Sequence, residues 1–461
     1  MAKHALSIPE AELKQLTATA AELATTYWSS LSTLPTFPST SGPQTFELFT
    51  RPWDEAPRGS DVLQDFSVIA QHGRPSVGGF FGYVAGSGEP VGAIGDLLAG
   101  ALNQNVTAWR SAPSAVVVER TVVKWLAEAI GCEGFNGSLC GGGSAANLMG
   151  LGMAREAKLP ANEEGVIGGV VYASEEVHMS IAKAVALLGL GRKNLRLIPT
   201  DDQFRMRPDL LQEAIAADRR VGLKPIAVVA SAGTVATGAI DPLEEIAAVA
   251  RREDLWLHVD GAYGAAAALA VPERLKGLAL ADSLSLDAHK FLYQPIDCGC
   301  LLFRDAHFAR KAFSNSGDYV QVFSQDSMEA FAFFDESMEL SRRFRALKLW
   351  MSFQYHGRQA FREAILRDLA HAQTLATAIG KEPDLELLTP VTLSAVCFRH
   401  RSKNNQAILT RVIKRGRVFI SNATIDGHFA LRACFVNHLT TEADVEAIIS
   451  EVIEAAGEVD S

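Results

Sequence analysis

Apolar and polar positions along this chain follow two periods. Short uninterrupted apolar runs recur at 168–173, 225–230 and 257–259, too short for helices and bounded by Gly, Ser or Asp, which predicts buried strands. Around and between them, apolar residues at three- and four-residue spacing predict helices over 119–130, 208–218 and 242–252. Strand and helix in alternation is the rhythm of a mainly parallel sheet, so residues 76–345 are expected to form a large α/β domain. Ahead of it, 9–30 opens with Pro9-Glu10-Ala11-Glu12 and continues as an amphipathic helix, until the Pro- and Ser-rich stretch 34–43 breaks it. Residues 1–75 therefore read as a helical N-terminal segment. After Trp350 a long helix, apolar segments at 385–400, 418–422 and 431–436, and an amphipathic helix from Thr441 predict a small α+β domain over 346–461. No internal repeat is visible.

Composition narrows the class. With 461 residues, 48% of them hydrophobic, the chain can bury a large core and form more than one domain. A formal net charge of -10 with no offsetting basic stripe argues against nucleic acid as a partner. Neither a secretory signal nor an apolar run long enough to cross a membrane is read. The cysteines at 132, 140, 298, 300, 397 and 434 are scattered, mostly through apolar stretches, which suits reduced thiols in a cytoplasm. Cys298-Gly299-Cys300 is too short for a metal clip and has no second pair, so no metal site is expected.

The candidate chemistry centres on 282–290, Asp282-Ser283-Leu284-Ser285-Leu286-Asp287-Ala288-His289-Lys290. A His-Lys pair is by default a surface feature. Here the lysine closes an alternating segment and precedes an apolar run bounded by Pro295, and a desolvated lysine amine can attack a carbonyl to form a Schiff base. Upstream, Leu257-His258-Val259 delivers Asp260 at the end of a strand, where ligands sit in open α/β sheets; the alternative is a helix N-cap. A lysine and a buried acid in this order are what bound pyridoxal phosphate (PLP) uses, the acid keeping its ring nitrogen protonated. Gly141-Gly142-Gly143-Ser144 leads into a helix through Arg155 and has the form of a phosphate cradle, although three glycines alone are also an ordinary turn. His178, at a strand-to-helix junction, either caps and packs or acts on a ligand.

Taken together the motifs resemble the PLP-dependent group II amino-acid decarboxylases, the family of the aromatic L-amino-acid and glutamate decarboxylases. The residues that carry the resemblance are His258-Val259-Asp260 with Ala262-Tyr263-Gly264, Asp282-Ser283 with His289-Lys290, Pro295 with Cys298-Gly299, the glycine run at Gly141, and the run from Ser341 to Trp350. The resemblance implies fold-type I, the aspartate aminotransferase-like α/β architecture, with a mainly parallel seven-stranded sheet. It also implies a homodimer with active sites at the subunit interface and the N-terminal segment packed on the partner. By resemblance Lys290 holds PLP, Asp260 faces its ring nitrogen, His178 stacks on the ring, and Gly143 and Ser144 hold the phosphate. Thr234, Ala262, Asp287 and His289 complete the cofactor site, and Tyr83 and Trp109 line the substrate pocket. Ala145 and Val235 stand where many relatives carry glutamate and threonine.

The implied reaction is decarboxylation of a small-molecule L-amino acid to the amine and CO2, with Tyr83, Trp109 and the phenylalanine-rich run 331–334 leaning toward an aromatic one. In aromatic decarboxylases a loop tyrosine protonates Cα. Counting back without gaps from Arg342, with Gln325-Asp326-Ser327 in register, puts that position on Phe333, which has no proton to give. Two products stay open: the amine, with His178 or Tyr319 as donor, or an aldehyde with ammonia and hydrogen peroxide, as in aldehyde synthases. A non-catalytic regulatory paralogue is a third reading, opposed by the retained His178, Asp260, His289 and Lys290, and the motifs also speak against an aminotransferase.

Overall fold

The computed structural model describes residues 6–53, 55–166, 168–315 and 326–459, so Tyr319 and Gln325 lie outside the described residues. The chain forms two compact units. The larger comprises Phe81–Arg401 and Ser421–His438. Its main sheet contains β1 (Asn136–Cys140), β2 (Val170–Ser174), β3 (Leu195–Ile198), β4 (Pro225–Ser231), β5 (Trp256–Asp260), β6 (Ser283–Asp287) and β7 (Gly299–Phe303). The strand order is β1-β7-β6-β5-β4-β2-β3. Neighbours from β6 to β3 run parallel, while β7 is antiparallel to both β6 and β1. This is the mainly parallel sheet that the alternating pattern predicts, with the seven strands that the resemblance implies, and the fold class is α/β of fold-type I.

β2, β5, β6 and β7 are buried along their whole length, as expected of strands covered on both faces. Successive side chains point to opposite faces. Leu257 and Val259 of β5 and Leu284 and Leu286 of β6 enter one apolar core. His258 and Asp260 of β5, with Ser283 and Ser285 of β6, are bonded to one another on the other face. The helix Gly143–Lys158 lies across β5, β6 and β7, so its inner side meets polar strand residues.

A second sheet in the same unit is antiparallel, with β8 (Leu385–Leu387), β9 (Ala395–His400), β10 (Ser421–Ile425) and β11 (His428–Cys434) in the order β10-β11-β9-β8. Its grouping with the large sheet has a visible cause. Buried Arg432 of β11 donates to the carbonyls of Val235 (2.6 Å), Ala236 (2.9 Å) and Tyr83 (2.9 Å), and Tyr263 Oη lies 2.8 Å from Ser394 Oγ. The helix Ala346–Ile379 is interrupted at Gly357, whose φ of 73° belongs to the left-handed region that favours glycine.

The smaller unit joins the chain up to Phe80 with Ser402–Ile420 and the chain from Leu439. The limits of the two units thus differ from the boundaries at 75/76 and 345/346 suggested by the pattern. Helix Glu10–Ser30 forms where predicted and buries none of its residues. Helices Asn405–Arg415 and Glu442–Gly457 pack on each other, the second capped by Thr441, whose hydroxyl and backbone N–H both reach Asp444. Among the described residues no helix is long and apolar enough to cross a membrane, and all six cysteines are buried and free.

One buried ion pair binds the larger unit together. Arg342, fully buried, donates to Glu119 and to the carbonyls of Val106 (2.7 Å) and Leu139 (2.9 Å), while Glu119 also accepts the Leu139 N–H at 2.9 Å. Truncating one partner strands the other charge in the core. Arg342→Met is expected to lower stability by about 3 to 5 kcal/mol, and adding Glu119→Gln to recover part of that loss, both measured by guanidinium unfolding.

Candidate active site

The carboxyl ends of β4, β5 and β6 open into a cavity of about 220 Å³. Its lining includes Gly143, Ser144, His178, Thr234, Asp260, Ala262, Asp287, His289 and Lys290, so every residue expected to hold the cofactor is brought to one place. The glycine run forms its rim. Gly142 has φ 117°, open only to glycine at low cost, and a Cβ on Gly143 would lie 2.7 Å from Ala262 Cβ and 3.0 Å from Asp287 Oδ2. Gly143 also begins the helix Gly143–Lys158, which has no side-chain cap, so its first N–H groups are left for an anion.

Asp260, 7% exposed, closes β5. One oxygen accepts from Asn147 Nδ2 (2.9 Å), the other from Ser285 Oγ (3.1 Å) and the Ala262 N–H (3.3 Å). The same carboxyl group lines the cavity, where it can meet a ring nitrogen. Lys290 stands three residues beyond β6, its Nζ 3.1 Å from Asp287 Oδ2, and it is the lysine of the cavity lining. Asp287 Oδ1 is buried without a hydrogen-bond partner. His289 packs its Nδ1 on the Cys298 backbone, and burial lowers its pKa below the usual histidine value.

His178 caps the helix Met179–Leu187 and lines the cavity, so capping and ligand-facing roles, alternatives in the sequence, coincide. Burial lowers its pKa, and Nδ1 accepts from Ser180 Oγ at 2.8 Å and from the Ser180 N–H at 3.3 Å. Thr234 sits in the turn after β4, where its hydroxyl meets Thr237 Oγ1 at 2.8 Å. Buried Asp241 anchors that turn by accepting the N–H groups of Ser231 and Met206, both at 2.7 Å, and burial pushes its pKa up to about 6.

Three expected residues lie elsewhere. Tyr83 is 60% exposed and Trp109 packs against the apolar core; neither lines the cavity of its own chain. Phe333 is 0% exposed, with the Arg342 guanidinium 4.2 Å above its ring and its N–H bonded to Thr107 O at 2.8 Å. Phe333, where a gapless count puts the loop tyrosine's position, thus does not line the cavity of its own chain: its side chain belongs to the core that carries the Arg342 ion pair. Conversely, Asn147 lines the cavity without having been given a role, as do Ser231, Gly233 and the motif residue Tyr263. For Asn147 the signal was present, since it follows Gly143 by one helical turn and so shares its face.

An anion-binding helix start, a lysine amine and a strand-end carboxyl group held by three donors fit PLP, and on a fold-type I sheet they define a PLP enzyme. The description "Pyridoxal-dependent decarboxylase conserved domain" matches residues 61–401. The aromatic-L-amino-acid decarboxylase of Bacillus atrophaeus is 36% identical over 394 residues, 82% of this chain and 81% of that one. The 4-hydroxyphenylacetaldehyde synthase of Rhodiola rosea is 31% identical over 402 residues, 82% of this chain and 80% of that one. Among solved structures, Oryza sativa TDC with PLP and tryptamine superimposes with a TM-score of 0.91 at 28% identity, covering 99% of each chain. The chain belongs to the pyridoxal-dependent decarboxylase family and is a PLP-dependent carboxy-lyase.

The site also depends on Gly150. A Cβ there would lie 2.5 Å from both Cε1 and Nδ1 of His258 and 3.2 Å from Ser283 Oγ, on a fully buried ring. Gly150→Ala is expected to destabilise the protein by about 1 to 3 kcal/mol and to weaken PLP retention, read by thermal unfolding and equilibrium dialysis.

Proposed function

We propose that this enzyme decarboxylates an aromatic L-amino acid to the amine and CO2, and that His178 delivers the proton to Cα. The observation that carries this reading is the burial of Phe333 under Arg342. The missing hydroxyl at that position favoured an aldehyde product, and it loses its force when the side chain is a core residue. Relatives of both kinds match the chain, the Bacillus and plant aromatic decarboxylases as well as phenylacetaldehyde and 4-hydroxyphenylacetaldehyde synthases, and all act on aromatic compounds by name.

When bound, PLP supplies an electron sink for the Cα–carboxylate bond. The chain's residues provide the rest. Lys290 offers the amine that anchors the cofactor, with Asp287 Oδ2 holding Nζ at 3.1 Å. Asp260 offers its carboxyl group at the cavity floor, fixed by three donors. Gly143 and Ser144 offer the helix start to the phosphate. His178, the histidine of the cavity held by Ser180, orients the substrate carboxylate and supplies a proton within the enclosed space.

The working unit in this reading is a homodimer in a reducing compartment. It is supported by a helix Glu10–Ser30 with no buried residue, by the exposed apolar side chains Ile94, Leu97, Leu98 and Leu102, and by six free buried thiols. Such a dimer accounts for Tyr83 and Trp109, which in this reading complete the substrate pocket of a second copy.

Mass spectrometry of products after aerobic incubation of the PLP-loaded enzyme with phenylalanine, tyrosine, tryptophan and dihydroxyphenylalanine tests the reaction. Amine without peroxide is expected, and aldehyde with stoichiometric peroxide would overturn it. Lys290→Ala is expected to abolish the visible absorbance of the bound cofactor, and His178→Asn to retain that band while slowing turnover by about 100-fold or more.

A further inference from the structure

Around the floor of the cavity, hydrogen bonds join seven side chains with a direction that chemistry determines. Asn147, 1% exposed, has its Nδ2 at 2.9 Å from Asp260 Oδ2 and 3.0 Å from Ser180 Oγ. A carboxylate only accepts, so the amide nitrogen must face Asp260, and its two hydrogens are taken by Asp260 and Ser180. The Asn147 oxygen is then left for His258 Nε2, 2.9 Å away, which must donate. Burial pushes His258 down to about 4, against the pull of Asp260, so the ring is neutral and its Nδ1 accepts. Ser283 Oγ, at 2.8 Å, is that donor, and it accepts in turn from Trp256 Nε1 at 2.9 Å, a group that can only donate.

The second branch is equally constrained. Ser180 Oγ accepts from Asn147, so its own hydrogen is free for His178 Nδ1 at 2.8 Å, a nitrogen toward which the Ser180 backbone N–H also points. With both donors aimed at Nδ1, a neutral His178 carries its proton on Nε2. We propose that Asn147 is a positioning residue that couples Asp260 to His178 and locks His178 as the Nε2–H tautomer, with His258, Ser283 and Trp256 fixing the orientation of the amide. His178 therefore presents a hydrogen on Nε2, and not a lone pair, to whatever occupies the cavity. The proposal rests on the reading of this cavity as the PLP site and extends it to His258, Ser283 and Trp256, which do not line it.

The test uses the full-length protein labelled with 15N-histidine, read by two-bond proton–nitrogen correlation spectra with and without PLP, His178 being assigned by its loss in His178→Asn. The wild type is expected to show a protonated Nε2 and an unprotonated, accepting Nδ1 before PLP is added. Ser180→Ala removes one donor to Nδ1 and leaves Asn147 on Asp260, so His178 is expected to shift toward exchanging tautomers with PLP affinity unchanged. Asn147→Leu removes both links, and PLP affinity is also expected to fall about tenfold, the worth of one hydrogen bond to a charged group. A wild-type His178 protonated at Nδ1 would overturn the proposal, as would a folded Asn147→Leu protein with unchanged His178 shifts. Failure of the wild type to bind PLP would instead sink the reading of the cavity, while the spectra without PLP would still decide the tautomer.

Discussion

A carboxylate buried at the end of a parallel strand has to be met by donors, and Asp260 imposes that condition on everything around it. Its two oxygens take three hydrogen bonds, from a helix, a neighbouring strand and the turn that follows its own strand. Each donor constrains its element. Ser285 sits on the face of β6 opposite Leu284 and Leu286, so the alternation of serine and leucine in that strand separates polar floor from apolar core. Asn147 requires the helix Gly143–Lys158 to lie close against the sheet, and glycine at 143 and 150 removes the side chains that would hold it away.

The cavity walls obey the same need for satisfied polar groups. The turn after β4 is fixed from one side by Asp241, which accepts two backbone N–H groups, and from the other by Arg432, which donates to three carbonyls. Neither charge is available to a ligand, because each already holds backbone in place. Lys290, His178, Asp260, Asp287 and His289 are thus the lysine, histidine and carboxylate side chains arranged about the open space. Rigid surroundings of this kind let the cavity hold a cofactor's ring without reorganising when it binds.

Phe333 shows how a count along the chain and a fold diverge. Residues 107–109 and 331–333 meet as a short antiparallel bridge, with Phe333 N–H on Thr107 O and Trp109 N–H on Phe331 O. That pairing turns Phe333 inward, beneath Arg342 and edge-on to Phe331 at 4.9 Å between ring centroids. A ring over a buried guanidinium offsets part of the desolvation of the charge. Where the Phe333 side chain points is decided by such packing, which a count along the chain does not see.

The sequence by itself determined the class of sheet and the order of its strands and helices along the chain, and its family resemblance pointed to Gly143, Ser144, His178, Thr234, Asp260, Ala262, Asp287, His289 and Lys290, which the fold gathers around one cavity. Those signals are local: apolar runs set strands, spacing sets helices, and residues that meet a cofactor sit at strand ends a few positions from a glycine or a turn. What lay beyond local pattern was decided by tertiary structure. The partnership of Asn147, His258 and Ser283 joins elements more than a hundred residues apart in part, and only the close approach of helix to sheet reveals that they share one hydrogen-bond chain. The limits of the compact units, the burial of Phe333, and the absence of Tyr83 and Trp109 from their own chain's cavity likewise follow from which surfaces pack together. Periodicity says which side of an element is apolar, but not which neighbour will cover it.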